Sequence, residues 1–287
     1  MLLEHLGDIV ACEPVARELR KRDPACFLVW GVRRQYRELV DAHPDVDLVL
    51  PLHCLTERLL LARGGLFDEV VDLHFDDRWC SLCSRPPRRA SGSPIGLDNY
   101  FQYGGILAAF AKSAGLPALE DAPRVYIPET VVQRVDRLGL PARFVAINGS
   151  SNFAEKDWRP ERWSELAAEI ARDFGLPVIE IGLTPVLATA PTLPELGLCG
   201  RLSILESAEV IRRAALFVGV DSGPAHLANA VVTPGVVLMG TFLGFPRYQP
   251  FSGPYANGEG AEIVRSVGTV ADIPVAAVLA AVNRRAL

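Results

Sequence analysis

Short apolar runs alternate with amphipathic segments along most of the chain. In the N-terminal part the apolar runs predict strands, and apolar positions that repeat every three or four residues predict helices. The predicted strands cover 1–3, 26–30, 46–51 and 67–73, and the predicted helices cover 9–22, 35–42 and 55–63. This alternation is typical of a parallel, doubly wound α/β sheet.

The alternation starts again after a helix predicted at 99–114 and a proline-rich segment at 115–128. The second series predicts strands at 144–148, 177–181, 216–220 and 235–240, and helices at 129–138, 160–174, 204–215 and 270–285. The sequence therefore predicts two Rossmann-like domains, 1–128 and 129–287, facing a cleft in which a ligand is expected to bind. The final helix is expected to pack back on the N-terminal domain.

The junction after the strand at 216–220 carries the strongest chemical signal. A helix follows this strand directly, and its unpaired backbone N–H groups and dipole favour a phosphate. The turn contains Asp221, Ser222, Gly223, Pro224 and His226. Asp221 or Ser222 suits the N-cap, and His226 can donate to the same anion. An ordinary strand-to-helix turn with a surface histidine explains the local pattern equally well.

Two further turns carry residues of chemical interest. His5-Leu6-Gly7-Asp8 places a carboxylate at the start of the first helix, and Asn148-Gly-Ser-Ser-Asn152 is followed by Lys156. Glycine, hydroxyls and a lysine near helix starts can bind a diphosphate where no P-loop exists. The chain has neither G-x-x-x-x-G-K-[ST] nor G-x-G-x-x-G, which argues against a Walker ATPase and a Rossmann-type dinucleotide enzyme.

Composition narrows the class of protein further. The chain has 287 residues, is 49% hydrophobic and carries a net charge of −5, so a general nucleic-acid partner is not indicated. No apolar run approaches the roughly 18 residues that span a bilayer, and no basic segment marks a signal peptide. We expect a cytoplasmic monomer that can contact the inner membrane peripherally.

A long aperiodic segment at 74–98 interrupts the first series. It contains Arg78, Arg85, Arg88 and Arg89, with no acidic residue from 78 to 89. Guanidinium groups pair well with phosphates and carboxylates, so this loop would suit an anionic acceptor. A solvated loop is the alternative interpretation.

The six cysteines do not form the framework of a small disulfide-rich protein. Cys80 and Cys83 make a single C-x-x-C pair, and His53, Cys54 and His74 could in principle complete a zinc site. Because no second closely spaced pair exists, free thiols are the default expectation. We therefore predict no metal and no cofactor.

The motifs together resemble glycosyltransferase family 9, the heptosyltransferases of the lipopolysaccharide inner core. The resemblance rests on Leu6-Gly-Asp-Ile-Val10 with Pro14 and Leu19, His43-Pro-Asp-Val-Asp47, Val71-Asp-Leu73, the segment 148–163, and Val220-Asp-Ser-Gly-Pro-Ala-His-Leu227 with Pro234. It implies the two-domain GT-B fold, a nucleotide-sugar donor in the C-terminal half, and inversion of the anomeric centre without a metal.

The resemblance also implies roles for individual residues. Asp8 matches the general base that takes the proton of the acceptor hydroxyl; a helix-start acid favoured by the dipole is the alternative. Lys156 matches the lysine that neutralises the leaving phosphates. Gly149, Ser150, Ser151, Asp221, Ser222, Gly223, Pro224 and His226 match the donor-binding turns. Because like charges repel, Asp221 is expected to face a sugar hydroxyl, Lys156 or the helix cap rather than phosphate.

Two departures from the family pattern bear on specificity. The first strand begins at Met1, so either the N-terminal sheet is weakened or the natural start lies upstream. The loop after 178–181 has no acid before Glu195, whereas ADP-heptose enzymes often carry a glutamate there. ADP-heptose remains the expected donor, to a glycan, lipopolysaccharide core or other acceptor. A GT-B-fold sugar-nucleotide 2-epimerase and a degenerate, non-catalytic sugar-nucleotide-binding protein are the alternatives.

Overall fold

The computed structural model describes residues 5–75, 80, 82–83, 94–187, 197–242, 245 and 248–286. The chain forms two compact units. The first comprises Met1–Tyr126 together with Gln249–Gly253, and the second comprises Ile127–Tyr248 and Pro254–Leu287. Within the described residues, no helix combines the length and apolarity needed to cross a bilayer.

The first unit combines short helices with a parallel pair of strands. In chain order its elements are α1 (Leu6–Ala11), α2 (Glu13–Arg22), β1 (Val29–Arg33), α3 (Glu38–Asp41), β2 (Leu48–Leu52), α4 (Leu55–Arg63) and α5 (Ile106–Ser113). The two strands pair with Val29 opposite Leu48. The strand predicted at 1–3 lies outside the described residues.

Three predictions for the first unit need correction. The helix predicted at 9–22 is two helices, because Pro14, which lacks an N–H, suits the first turn of α2 and cannot continue the hydrogen bonding of α1. The helix predicted at 99–114 is broken at Gly104, whose φ of 106° is incompatible with a helix. No strand forms at 67–73, where the described backbone makes no ladder with β1 or β2.

The second unit is built on a five-stranded parallel sheet. Its elements are α6 (Glu129–Asp136), β3 (Val145–Asn148), α7 (Pro160–Phe174), β4 (Val178–Glu180), α8 (Ile204–Arg213), β5 (Leu216–Val220), α9 (Gly223–Ala230), β6 (Gly235–Met239), α10 (Pro254–Asn257), β7 (Ala261–Arg265) and α11 (Val275–Ala286). The strand order is β4-β3-β5-β6-β7, with every neighbouring pair parallel.

The core of the second unit explains why the sequences of its central strands are continuously apolar. All residues of β5 and β6 are buried, as expected when helices cover both faces of a sheet. Val218 and Val220 share one face with Trp163 of α7 and Val278 of α11. Helix α9 also packs on β5 and β6, and α8 packs on α9. The sheet is therefore a rigid platform for the loops at its edges.

The C-terminal region differs from its prediction in two ways. Strand β7 and helix α10 were not predicted, and α11 begins at Val275 because Pro274 separates it from a short 3₁₀ turn at Val270–Asp272. The last helix lies in the second unit, against α7, β6 and β7. The part of the C-terminal region that groups with the first unit is instead Gln249–Gly253.

The strand order sets where a ligand site is expected in the second unit. From β3 the chain moves to β4 on one side and then returns to β5 on the other. The crevice at such a reversal, beyond the carboxyl ends of the strands, is the usual ligand position in open α/β sheets. Asn148 at the end of β3 lies opposite Gly219 of β5, so the turns that follow both strands share one edge.

Candidate functional site

Three strand ends are tied together at this edge by side-chain hydrogen bonds. The hydroxyl of Ser222 donates to Oδ1 of Asn148 at 2.8 Å, and Nδ2 of Asn148 donates to the carbonyl of Ile181 at 3.1 Å. Ser222 holds the N-cap position of α9, but its side chain makes no capping bond. Ser222 therefore occupies the predicted N-cap position, but its hydroxyl does not cap the helix. It links the end of β5 to the end of β3.

Lys156 and Asp221 form a close ion pair beside Ser222. The Nζ atom lies 2.6 Å from Oδ2, and the two side chains are only 12% and 6% exposed. The sequence suggested a sugar hydroxyl, Lys156 or the helix cap as the partner of Asp221, and the structure shows Lys156. Because both side chains are shielded from water, either charge alone would be poorly hydrated. The two groups therefore stay paired.

Aromatic rings surround the same ammonium group. Nζ of Lys156 lies 3.8 Å from the ring centre of Phe242, 5.1 Å from that of Tyr248 and 5.7 Å from that of Phe153. It also donates to the Tyr248 hydroxyl at 3.3 Å. Cation–π attraction adds to the ion pair. Among the described residues, Asp221 and Tyr248 accept from two of the three N–H donors of the ammonium, so the third can serve an external oxygen.

These aromatic residues were not identified from the sequence as part of a site. Phe242 and Tyr248 fall in the segment at 241–260, where the only signal is a concentration of glycine, proline and aromatic residues. Such a loop directly after a buried parallel strand lies at the carboxyl edge of the sheet, and this position is the signal that could have found them.

The turn after β3 has little spare room. A Cβ atom on Gly149 would lie 2.3 Å from Cγ2 of Val186 and 2.9 Å from Nε1 of Trp163, so only glycine fits. The hydroxyl of Ser151 donates to the carbonyl of Phe153 at 2.8 Å, and the N–H of Ser151 donates to Asp157 at 2.7 Å. Ser151 therefore shapes the loop that leads to Lys156, and Ser150 lies half-buried beside it.

The start of α9 places Gly223 and Pro224 in the first helical turn. The N–H groups of Ala225 and His226 point back to the carbonyl of Ser222, at 3.1 and 3.4 Å. His226 is 5% exposed. The alternative of a surface histidine is therefore wrong.

Two charged residues at this edge were missed. Arg265 ends β7 and donates to the carbonyl of Tyr248 at 3.3 Å. Partial burial lowers the pKa of Arg265, and the negative charge of nearby Asp221 opposes that effect. Glu180 ends β4 and accepts from the N–H groups of Val186 and Leu187, at 2.5 and 3.3 Å. Burial raises the pKa of Glu180 in spite of these two bonds, and the carboxylate holds the loop against Gly149.

The first unit contains the predicted base. Asp8 lies in the first turn of α1 and is half-buried. His5, the residue before this helix, has φ 61° and ψ 128°, a conformation that costs a non-glycine residue about 1–3 kcal/mol. The four arginines predicted to bind the acceptor, Arg78, Arg85, Arg88 and Arg89, lie outside the described residues.

The chain consists of two α/β units, each with parallel strands. Similar solved structures confirm that the fold is of the GT-B type. A family 9 glycosyltransferase from Veillonella parvula superposes with a TM-score of 0.75 at 19% identity, covering 99% of this chain and 95% of the other. Escherichia coli ADP-heptose lipopolysaccharide heptosyltransferase II gives 0.72 at 17% identity, covering 100% and 98%. Escherichia coli heptosyltransferase WaaC with ADP-2-deoxy-2-fluoro heptose gives 0.63 at 16% identity, covering 98% and 97%.

Sequence comparison finds similar proteins among the glycosyltransferases. Residues 106–242 match the model of glycosyltransferase family 9 (heptosyltransferase). Lipopolysaccharide heptosyltransferase 3 of Escherichia coli K12 is 28% identical over 116 residues, 38% of this chain and 34% of the relative. Lipopolysaccharide heptosyltransferase 1 of Pseudomonas aeruginosa is 24% identical over 294 residues, 88% of this chain and 80% of the relative. Residues 106–242 of this chain are therefore similar to glycosyltransferase family 9, and the chain spans about a third of the length of the Escherichia coli relative.

Proposed function

We propose that this protein is an inverting glycosyltransferase that moves a heptose from ADP-heptose to a glycan, with the lipopolysaccharide core as the expected acceptor. The observation that carries the proposal is the Lys156–Asp221 pair at the start of α9, located where the strand order reverses. The family and the names of its relatives support the chemistry: those proteins are heptosyltransferases, and one was solved with an ADP-heptose analogue.

The donor diphosphate would lie against the start of α9 and the turn after β3. The helix dipole attracts phosphate oxygens to the start of a helix. The absence of a side chain at Gly149 lets this turn pack closely against Val186 and Trp163, which sets the path of the backbone there. His226, in the first turn of the same helix, adds a second polar group.

Lys156 would act mainly on the leaving group. As the bond between sugar and diphosphate breaks, negative charge grows on the departing oxygen, and a fixed ammonium group stabilises that charge. Asp221 and Tyr248 fix the ammonium and leave one N–H for the phosphate. Arg265 adds positive charge beside the pair. These groups would meet the diphosphate's charge without a divalent cation.

Asp8 would remove the proton of the acceptor hydroxyl. Inversion by direct displacement requires one carboxylate in this role, and the base contributes roughly 10²–10⁴-fold to the rate. Its position in the first turn of α1, beside the strained residue His5, fits a residue held in place for chemistry. An anionic acceptor recognised by the arginines of the 78–89 segment remains a prediction from the sequence.

The proposal is tested by binding and by product analysis with the intact protein. Calorimetric titration with ADP, UDP and GDP identifies the nucleotide, and we expect ADP to bind most tightly. Incubation with ADP-heptose and lipopolysaccharide core acceptors should give a heptosylated product by mass spectrometry. Conversion of the sugar nucleotide to its epimer without an acceptor, or binding without any turnover, would contradict transfer and favour the epimerase or the degenerate binding protein respectively.

A further inference from the structure

Three cysteine thiols converge in the first unit, whereas every residue placed in the donor site belongs to the second unit. The Sγ atoms of Cys54, Cys80 and Cys83 all lie within 4.8 Å of one another. Cys54 is the N-cap of α4, whereas the other two come from a segment about 25 residues further along the chain. Over the part of the chain that the structure describes, no other group of three metal-binding side chains comes together in this way.

The surroundings of the thiols are apolar. Cys80 is 2% exposed and packs with Leu52 and Leu55 in a small hydrophobic cluster, and the other two thiols pack against its edge. The Thr56 hydroxyl lies 2.9 Å from Sγ of Cys83, within hydrogen-bond distance for sulfur. All three cysteines are free of disulfides. Three thiols held together at separate points of the chain are what a thiolate-bound metal requires.

We propose that Cys54, Cys80 and Cys83 bind a structural Zn²⁺ ion. In a tetrahedral site with Zn–S bonds of about 2.3 Å, the sulfurs lie about 3.8 Å apart. The three sulfurs lie within 4.8 Å of one another here, so they would move together by up to about 1 Å when the ion binds. Thiolate ligands select zinc over the hard cations magnesium and calcium. Binding releases one proton from each thiol and forms three Zn–S bonds, with no change of oxidation state. A donated hydrogen bond from Thr56 would stabilise the thiolate of Cys83.

Among the described residues no fourth metal-binding side chain joins the three thiols, so a water molecule would take the fourth position of the ion. The role of the ion would be to attach residues 80–83 to the end of β2 and the start of α4. The site is independent of the proposed transfer reaction, and each can fail without the other.

Metal analysis of the purified full-length protein gives the first test. Wild-type protein from zinc-supplemented medium should carry one zinc per chain by inductively coupled plasma mass spectrometry. Cys54→Ser, Cys80→Ser and Cys83→Ser should each lose most of that zinc, whereas Cys26→Ser and Cys199→Ser, which change comparably half-buried thiols, should keep it. Background zinc in the wild type, or zinc retained in all three site variants, would overturn the proposal, as would iron in its place.

A second measurement uses only the wild-type protein and does not depend on how the variants fold. The number of thiols that react with Ellman's reagent should rise by two, for the half-buried Cys54 and Cys83, when a strong zinc chelator is added, and by a third when the protein is also unfolded, because Cys80 is buried. Replacement of zinc by Co²⁺ should give the intense absorption of a tetrahedral thiolate complex. Thiols equally reactive with and without chelator, or a Cys54 disulfide in peptide mapping under non-reducing conditions, would contradict a metal site.

Discussion

Nζ of Lys156 lies 2.6 Å from Oδ2 of Asp221, joining the segment after β3 to the start of α9 across 65 residues of sequence. Both side chains are almost fully buried. Removing one partner leaves the other charge buried and uncompensated, which typically costs about 3–5 kcal/mol. Any substitution of Lys156 therefore changes stability as well as ligand binding, and the two effects must be separated.

A double substitution separates them. Lys156→Met should weaken ADP binding about 10- to 150-fold, the effect of losing a charge-assisted contact worth roughly 1.5–3 kcal/mol. It should also lower the free energy of unfolding. Combining it with Asp221→Asn should recover stability, because no unpaired charge remains, yet leave ADP binding weak. Calorimetric titration and urea unfolding of the three variants measure both quantities. Recovery of ADP affinity in the double variant would contradict a contact between Lys156 and phosphate.

Gly149→Ala should distort the turn after β3. The new Cβ would lie 2.3 Å from Val186 and 2.9 Å from Trp163, so we expect a loss of about 1–3 kcal/mol in stability and weaker ADP binding. Adding Val186→Ala removes the closer of the two clashes, so it should restore part of the stability and part of the ADP affinity. Thermal unfolding and ADP titration compare the single variants with the double. Equal defects in Gly149→Ala and the double variant would show that Val186 is not the obstacle.

Asp8→Asn should separate catalysis from donor binding. The amide has the size of the carboxylate but cannot accept the proton of the acceptor hydroxyl, so kcat should fall by ~10²-fold or more. The affinity for ADP should stay near the wild-type value, because the proposed donor site lies wholly in the second unit. Near-normal turnover in this variant would remove Asp8 from the mechanism. A loss of ADP affinity would indicate a different role.

The buried cluster of Arg58, Asp72 and His74 predicts how stability responds to acid. Nη1 of Arg58 donates to both carboxylate oxygens of Asp72, at 2.8 and 2.7 Å, and the His74 ring lies 2.9 Å from the same carboxylate. Burial alone would raise the pKa of Asp72, but the bond to His74 and the charges of His74 and Arg58 outweigh it, so the pKa falls well below its ordinary 3.8.

The carboxylate of Asp72 binds a proton less readily in the folded state than in the unfolded state. The stabilisation that Asp72 contributes is therefore present above about pH 4 and is lost as the pH falls. Asp72→Asn should lower stability at neutral pH and flatten the dependence between about pH 5 and pH 2. The exposed Asp98→Asn serves as the matched control and should leave the curve unchanged. Urea unfolding across this pH range checks the expectation. Parallel curves for wild type and Asp72→Asn would contradict it.

The parts of the fold that the sequence predicted well have clear local boundaries. Helix α7 begins with Pro160 in its first turn and ends at Gly175 in the left-handed conformation, and its predicted bounds are confirmed. Strand β5 is also confirmed from Leu216 to Val220, since all five residues are apolar or glycine and buried. In these places the turn chemistry and the apolar pattern agree.

The missed parts depend on information that local patterns do not carry. Strand β7, at the edge of the sheet, is only partly buried and contains Glu262 and Arg265, so its apolar pattern is short and broken. The contact of Lys156 with Phe242 and Tyr248 requires the strand order, which brings together loops far apart in sequence. The grouping of Cys54 with Cys80 and Cys83 likewise appears only once α4 and the later segment are placed.

The excursion of Gln249–Gly253 into the first unit limits how this chain can be divided or recombined. Within that unit, the N–H of Ile106 donates to the Gln249 carbonyl, the N–H of Gly253 to the Glu120 carbonyl, and the Ser252 hydroxyl to the Asp121 carbonyl. A gene fusion that exchanges the first 126 residues for those of a relative would leave this five-residue strip facing a foreign surface. The first unit is therefore discontinuous in sequence, and a chimera that exchanges the N-terminal half must also exchange residues 249–253.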